Sequence, residues 1–540
     1  LPLPVPSPYD YAVPQENDVE VGSIVRVPLG ARLVTGVVWG EGSGEVASER
    51  LRAIAEIKDV PPLKESLRAF IGWVARYTVS HESLVLRMIL RVPEAFDPPV
   101  PLRALRLAGD APERMTPARR RVLDLMADGM ARPAREIALV ASVASSVPKG
   151  LIAAGCLEEV VLPHRPSFAV PDPTVARPDL SSEQQAAAET LGQAVAAKTF
   201  ETLVLEGVTG SGKTEVYFDA LARVLEQGRQ VLVLLPEIAL SVQFLARFEE
   251  RFGVAPAVWH SDVPRRLRRD VWRGVATGEV KVVVGARSAL FLPFCDLGLM
   301  VVDEEHDGSY KQDDGVCYHG RDMAVVRASL EQIPIVLCSA TPSLETLANV
   351  DKGRYRHIFL PVRHGGASMP DVTTVDMTGA GTERGHWLSP TLVKAMQACL
   401  EAGEQSLLYL NRRGYAPLTL CRTCGHRLEC PNCSAWLVEH RHRARLQCHH
   451  CGIWSPRPEA CPQCHDSDSL VACGPGVERL AEEVAERFPD ARMEIMASDT
   501  LLGPDDVAAL VGRIERGELD ILIGTQVAAK GHHFPMLTLV

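Results

Sequence analysis

The sequence has no apolar run long enough to cross a bilayer. Stretches such as 231–235 and 299–302 fall far short of the ~20 residues that a membrane-spanning helix needs. The start, Leu1-Pro2-Leu3-Pro4-Val5-Pro6-Ser7-Pro8, shows no secretory leader, so a cytoplasmic protein with no membrane attachment is expected. Net positive charge is also lacking: the formal balance is −11, which excludes indiscriminate binding of polyanions through overall basicity. Cysteine is sparse over most of the chain. Nine of its 14 crowd into 421–473, and eight of those form four C-x-x-C pairs. That distribution excludes a secreted disulfide scaffold and reads as metal-ligand spacing in a reducing compartment.

What the chain does have is length, an ordinary 46% hydrophobic content, and 540 residues to divide, enough for about three to five domains. The proline-rich start is extended. Residues 19–38 read as short strands with glycines at the bends, 63–77 as a helix, and 93–101 as a linker. Together these give a β-rich N-terminal domain over 1–100. Thr116-Pro117 is a helix opening, a capping hydroxyl followed by proline at the first helical position. Two more short helical stretches and a strand at 157–162 follow. Three small helices and a strand fit a winged-helix domain over 101–172, and nearly as well a structural spacer.

From about residue 180 the texture changes to strands alternating with helices. Apolar runs at 202–205, 231–235, 280–284, 299–302 and 335–338 lack period-two alternation. Strands buried on both faces have this pattern, so an α/β unit with a helix-covered parallel sheet is expected. A second set starts at 406–410 and resumes at 521–523, with the cysteine segment inserted between. The resulting division is 173–362 for a first lobe, 363–417 with 474–540 for a second, and 418–473 for the insertion.

Gly207-Val208-Thr209-Gly210-Ser211-Gly212-Lys213-Thr214 matches G-x-x-x-x-G-K-[ST] between a strand and a helix. Glycines let backbone N–H groups curl around a phosphate at a helix N-terminus. Lys213 brings a positive charge to the β/γ oxygens, and the Thr214 hydroxyl can ligate Mg²⁺. ATP with Mg²⁺ is therefore the expected ligand. Asp303-Glu304-Glu305-His306 follows a buried strand, whose carboxyl end faces the ligand crevice of such a sheet. Asp303 is expected to hold Mg²⁺ and Glu304 to orient or deprotonate water. Taken alone, the box would pass as a solvated acidic turn.

These two motifs, with Ser339-Ala340-Thr341-Pro342, resemble superfamily 2 helicases. More closely, the chain is similar to the bacterial replication-restart helicases of the primosomal protein N′ family. Pro236-Glu237-Ile238-Ala239-Leu240, 285–291, 303–321, 408–417, the cysteine pairs and 524–535 carry the likeness over essentially the whole chain. The resemblance implies two RecA-like lobes and an ATP-driven 3′→5′ DNA helicase that recognises stalled forks and starts primosome assembly. It also implies forked and single-stranded DNA, other primosome proteins and single-stranded DNA-binding protein as partners, the chain acting as a monomer.

Residue by residue, the resemblance makes Gln184 a reader of the adenine edge; a capping box of Ser181 with Gln184 is the local alternative. Ser339 to Thr341 would couple the lobes. Tyr310, Lys311, Tyr318 and His319 fall in a loop that links single-strand contact to hydrolysis, aromatics stacking on bases. That loop departs from the family at Val316 and Cys317, where an aromatic and a basic residue are expected. Tyr9, Asp10, Gly30 and Arg52, the last in place of lysine, match a pocket for the 3′ end of a nascent strand.

The cysteines fall as Cys421/Cys424, Cys430/Cys433, Cys448/Cys451 and Cys461/Cys464. Eight thiolates make two closed, structural Cys₄ zinc sites, two Zn²⁺ per chain. Fourteen residues separate the second pair from the third, close to zinc-ribbon spacing, against five between the first and second. Spacing thus favours nested over sequential sharing: Cys430, Cys433, Cys448 and Cys451 inside, the other four outside. Cys473 is left over. The family implies DNA and partner contacts by this insertion, with Arg441, Arg443 and Arg445 toward phosphate.

The chain ends at Thr538-Leu539-Val540, which reads as mid-strand, and the family continues into a Q-x-x-G-R-x-G-R motif. An arginine finger from that motif would contribute roughly 10³–10⁵ in rate, so these residues alone are expected to bind ATP but hydrolyse it poorly. Two other functions compete. A fork-binding primosome scaffold would need neither Lys213 nor Glu304, and a chromatin or restriction translocase would not need the cysteine insertion.

Overall fold

The computed structural model describes the chain except residues 6–7, 15–17, 99–101, 110–111, 113, 163–167, 176–177, 237–241, 364–369, 378–385, 411–417, 422, 434, 441–444, 449, 468, 474–475, 498–503, 526–527 and 529–533. The expectations for Glu237 to Leu240, for 411–417 and for Arg441 and Arg443 lie outside the described residues. Two compact units emerge, Leu1–Leu234 with Phe252–Pro361, and Leu235–Arg251 with Val362–Val540. The segment 235–251, placed in the first lobe by sequence, groups with the second unit. No helix among the described residues is long and apolar enough to cross a membrane.

In the first unit, Ile24–Leu29 and Arg32–Val37 pair antiparallel around Gly30, whose φ of 59° suits a two-residue hairpin turn. Helices Glu65–Tyr77 and Glu82–Ile89 follow. Thr116 accepts from the Arg119 N–H at 3.3 Å with Pro117 behind it, opening helix Pro117–Met126 as its capping chemistry requires. Two further helices, Ala134–Val140 and Ser146–Ala153, and an antiparallel pair, Leu102–Leu107 with Leu157–Leu162, complete this segment.

The main sheet has seven strands in the order Arg356–Leu360, Thr202–Gly207, Ile335–Ser339, Leu297–Val302, Gln230–Leu234, Val282–Gly285, Ala257–Trp259. Every pairing is parallel, and the continuous apolar runs are buried on both faces as such a sheet demands. Because the strands are parallel, their carboxyl ends share one edge, and that edge carries the phosphate loop, Asp303 and Ser339. The outer strands at 257–259 and 356–360 were not foreseen; the latter is largely exposed and carries no buried run.

The N-terminal helices share one core with this sheet. Trp272 is fully buried, donates its indole N–H to the Ile89 carbonyl at 3.1 Å, and meets Phe96 edge-on. Phe70 packs against Phe291 at 5.5 Å, and the buried Arg327 guanidinium lies over the Phe70 and Phe294 rings. The core therefore runs without a break from 63–97 into the strands.

The second unit contains a parallel sheet ordered Met493–Met496, Ile521–Gly524, Gln405–Tyr409, Leu537–Leu539. Between its strands the cysteine segment forms Leu418–Cys421 paired with Leu470–Cys473, and a three-stranded antiparallel sheet of Leu437–His440, Arg445–Cys448 and Trp454–Ser455.

Candidate functional site

The phosphate loop leaves strand Thr202–Gly207 and enters helix Lys213–Glu226 through Gly212. Two of its glycines are sterically required. A Cβ on Gly207 would lie 2.5 Å from Ser211 Oγ and 2.9 Å from Leu360 Cβ. At Gly212 one would lie 2.3 Å from Gln184 Nε2 on a backbone with φ of 79°, which only glycine adopts freely. Lys213 Nζ donates to the Gly207 carbonyl at 2.8 Å, folding the cation back over its own loop. Gln184 is buried. Its Oε1 accepts from Ser181 N–H at 2.9 Å, completing the capping box, and its Nε2 donates to the Ser211 carbonyl at 2.8 Å. Both polar ends of the side chain thus brace the loop, so reading a base would require one of these bonds to be exchanged.

Across the sheet edge, Asp303 Oδ1 accepts from the Glu304 N–H at 3.0 Å and Oδ2 from the Tyr217 hydroxyl at 2.9 Å. Glu304 has a φ of 47°, a left-handed conformation that costs a non-glycine residue roughly 1–2 kcal/mol. Burial, then the Asp303 charge, pushes the Glu304 carboxyl up, while Lys213 and His306 pull the other way. A carboxylate with raised basicity beside a lysine suits proton acceptance from water. His306 Nδ1 lies 2.8 Å from Ser339 Oγ, which also accepts from the Thr341 N–H at 2.9 Å, joining the acidic box to the Ser-Ala-Thr segment.

Glu305 is fully buried and was read only as a member of the box. It pairs with Arg321 at 3.0 Å and accepts from the Ser343 N–H at 2.6 Å and the Thr346 hydroxyl at 3.0 Å. It fixes the acidic turn to the start of helix Leu344–Asp351. Tyr217 was also missed as a site residue, because it falls within the apolar period of its helix. A hydroxyl on an otherwise apolar face was the available signal.

The structure corrects the assignment of Tyr310 and Tyr318 to DNA stacking. They are 1% and 4% exposed, so neither ring face is open to a base. Tyr310 donates toward the Asp303 carbonyl at 2.6 Å, with the Leu234 carbonyl 3.0 Å away. Tyr318 packs edge-on against Phe291 at 5.6 Å. Arg287 holds the loop by donating to the Ser309 and Lys311 carbonyls at 2.6 and 2.8 Å. Lys311 is exposed beside Asp313, and burial pulls the half-buried His319 down.

In the N-terminal segment a cavity of about 690 Å³ is lined by Tyr9, Asp10, Tyr11, Trp39, Ile54 and His81, among others. Tyr9 is exposed. Asp10 Oδ2 accepts from the Ser43 hydroxyl and N–H at 2.6 and 3.1 Å. Arg52 donates to the Gly30 carbonyl at 2.7 Å, and this pair is not among the lining residues.

The eight cysteines form two groups, Cys421, Cys424, Cys461, Cys464 and Cys430, Cys433, Cys448, Cys451, with all four sulfurs of each within 4.8 Å. This is the nested grouping. Closest sulfur pairs are 3.4–3.6 Å apart, too long for a bond between sulfurs and fitting the edges of a thiolate tetrahedron around one ion. Each pair sits in a tight turn. Gly425 N–H donates to the Cys421 carbonyl and Gly452 N–H to that of Cys448, at 2.9 and 3.0 Å, with φ of 74° and 79° at the two glycines.

A phosphate loop and an acidic box at one edge of a parallel sheet define the P-loop nucleotide-binding class of fold, of which helicases are one branch. In agreement, residues 182–350 match the DEAD/DEAH box helicase model. Residues 1–91 match a 3′ DNA-binding domain model, and 430–456 the Cys-rich region of PriA DNA helicase. Along its whole length the chain is 37% identical to the replication restart protein PriA of Rickettsia conorii, covering 72% of it, and 35% identical to that of Haemophilus influenzae, covering 75%. The Bacillus subtilis protein of that name is 32% identical over 99% of this chain and 76% of its own. The chain belongs to the replication restart protein PriA family, a family of DNA-binding helicases.

Proposed function

We propose that the chain carries the ATP-hydrolysing site of a helicase that translocates 3′→5′ on single-stranded DNA and so unwinds forks at which replication restarts. The observation that carries this is the meeting of Lys213, Asp303 and Glu304 at one sheet edge, with Tyr217 of the phosphate-loop helix hydrogen-bonded to Asp303. Backbone N–H groups of 207–214 hold the β-phosphate, and Lys213 leaves the Gly207 carbonyl for the β/γ oxygens. A hydroxyl and a carboxylate, Thr214 and Asp303, are the hard oxygen donors that fit Mg²⁺. That ion, when bound, neutralises charge on the transferring phosphoryl group. Glu304 takes the proton of the attacking water.

The N-terminal cavity, with Tyr9 to stack and Asp10 to accept a terminal hydroxyl in place of Ser43, receives a 3′ DNA end. Residues 101–172 act as a winged helix, and Lys311 tracks phosphate. Two structural zinc ions bind the cysteine groups. The partners are primosome proteins and single-stranded DNA-binding protein, met in the cytoplasm by a monomer. Fork unwinding by the protein and its Lys213→Ala variant tests the motor: unwinding is lost and fork binding kept. A variant that unwinds as well as the parent rules the proposal out.

A further inference from the structure

Tyr217 touches Asp303, one of the two groups to which the proposed function gives the cation, and shares a helix with the other. Its helix begins at Lys213, so Thr214 lies three residues earlier on the same face. The Tyr217 hydroxyl donates to Asp303 Oδ2 at 2.9 Å. The ring is fully buried, packed edge-on against Phe218.

The phenol spends its proton on Asp303 Oδ2, and the second oxygen of that carboxylate accepts from the Glu304 N–H at 3.0 Å. Donors on both oxygens fix the carboxylate plane. Phenylalanine would fill the same space in the core, so packing alone does not require tyrosine at 217.

We infer that Tyr217 is a positioning residue: its hydroxyl sets the Asp303 carboxylate into the geometry that receives the divalent cation. This rests on the proposed role of Asp303 in holding that cation. Partners of this kind, one bond removed from the ion, typically change metal affinity about 10- to 100-fold when lost.

The test uses Mn²⁺ as the probe, titrated into the protein with ADP bound and followed by the electron paramagnetic resonance signal of free Mn²⁺. Tyr217→Phe is expected to weaken Mn²⁺ binding about tenfold and to raise the Mg²⁺ needed for half-maximal turnover by a similar factor. Tyr310→Phe removes another buried hydroxyl, one aimed at the Asp303 carbonyl, and serves as the measure of general packing loss. It is expected to leave Mn²⁺ affinity within about twofold. Unchanged affinity in Tyr217→Phe, or an equal loss in both variants, overturns the inference. Asp303→Asn separates the layers: if it loses Mn²⁺ and Tyr217→Phe does not, only the inference fails. If Asp303→Asn binds Mn²⁺ as the parent does, the cation role of Asp303 falls as well.

Discussion

The nucleotide-site lobe and the cysteine insertion keep their shape by different means. In the lobe, strands Gln230–Leu234, Val282–Gly285 and Leu297–Val302 are buried along their whole length, and the core extends through Trp272, Phe291 and Phe294 into the N-terminal helices. Its functional groups ride at the ends of strands that apolar packing already holds. Among the described residues of the insertion, the buried hydrophobic cluster consists of Leu428, Leu437, Leu446 and Leu470 with Cys421, Cys430, Cys448 and Cys461, so half of that cluster is thiol. A wide apolar sheet holds a site open without its ligand, whereas a small domain with few buried leucines depends on the ion to cross-link it.

Removing the metal breaks this comparison most severely. Structural zinc contributes on the order of 10 kcal/mol to folding in small cysteine domains. Chelation or Cys448→Ser is therefore expected to strip amide-exchange protection from 437–455 while 202–207 and 297–302 stay protected. Retained protection at 437–455 would show that the insertion holds itself together.

A second, smaller effect probes packing in the lobe. Gly207→Ala places a methyl against Ser211 Oγ and Leu360 Cβ and is expected to destabilise by about 1–3 kcal/mol, with weaker nucleotide binding, read by denaturant melts and ADP titration. Tyr310→Phe should cost about 1–2 kcal/mol in the same melts and leave single-stranded DNA affinity unchanged, since the ring is buried. A DNA-binding defect without a stability loss would restore the stacking role that its burial argues against.

The smallest effect concerns Glu304. A carboxyl raised by burial and by Asp303 is costlier to ionise folded than unfolded. The associated stability is present below the ordinary carboxylate range and is lost as pH rises through the raised value. At neutral pH Glu304→Gln should therefore stabilise the fold. The gain stays below about 1 kcal/mol because the side chain is 45% exposed and water screens it, and it should vanish near pH 4. Melting temperatures at the two pH values check the sign.

The phosphate loop, the acidic box and the parallel sheet were legible because short motifs impose their own backbone and strands buried on both faces leave unbroken apolar runs. The nested cysteine grouping was legible from fourteen residues against five. Tyr310 and Tyr318 were not, since a loop aromatic can meet a base or a core, and Phe291 and the carbonyls of Leu234 and Asp303 decide it from elsewhere in the chain. Tyr217 was hidden for the opposite reason: its place in a helical apolar period conceals what its hydroxyl touches. Gln184 forms the capping box of the local reading with one end of its side chain, and with the other braces the loop at Ser211, a contact from elsewhere in the chain.

The central claim is that Lys213, Asp303 and Glu304 form one hydrolytic site that drives the helicase. Its most direct test is DNA-stimulated ATP turnover by Glu304→Gln, with ATP affinity measured alongside. Turnover should fall by about 10²- to 10⁴-fold, the contribution of a positioned general base, while ATP still binds. Turnover within about twofold of the parent protein would contradict the account.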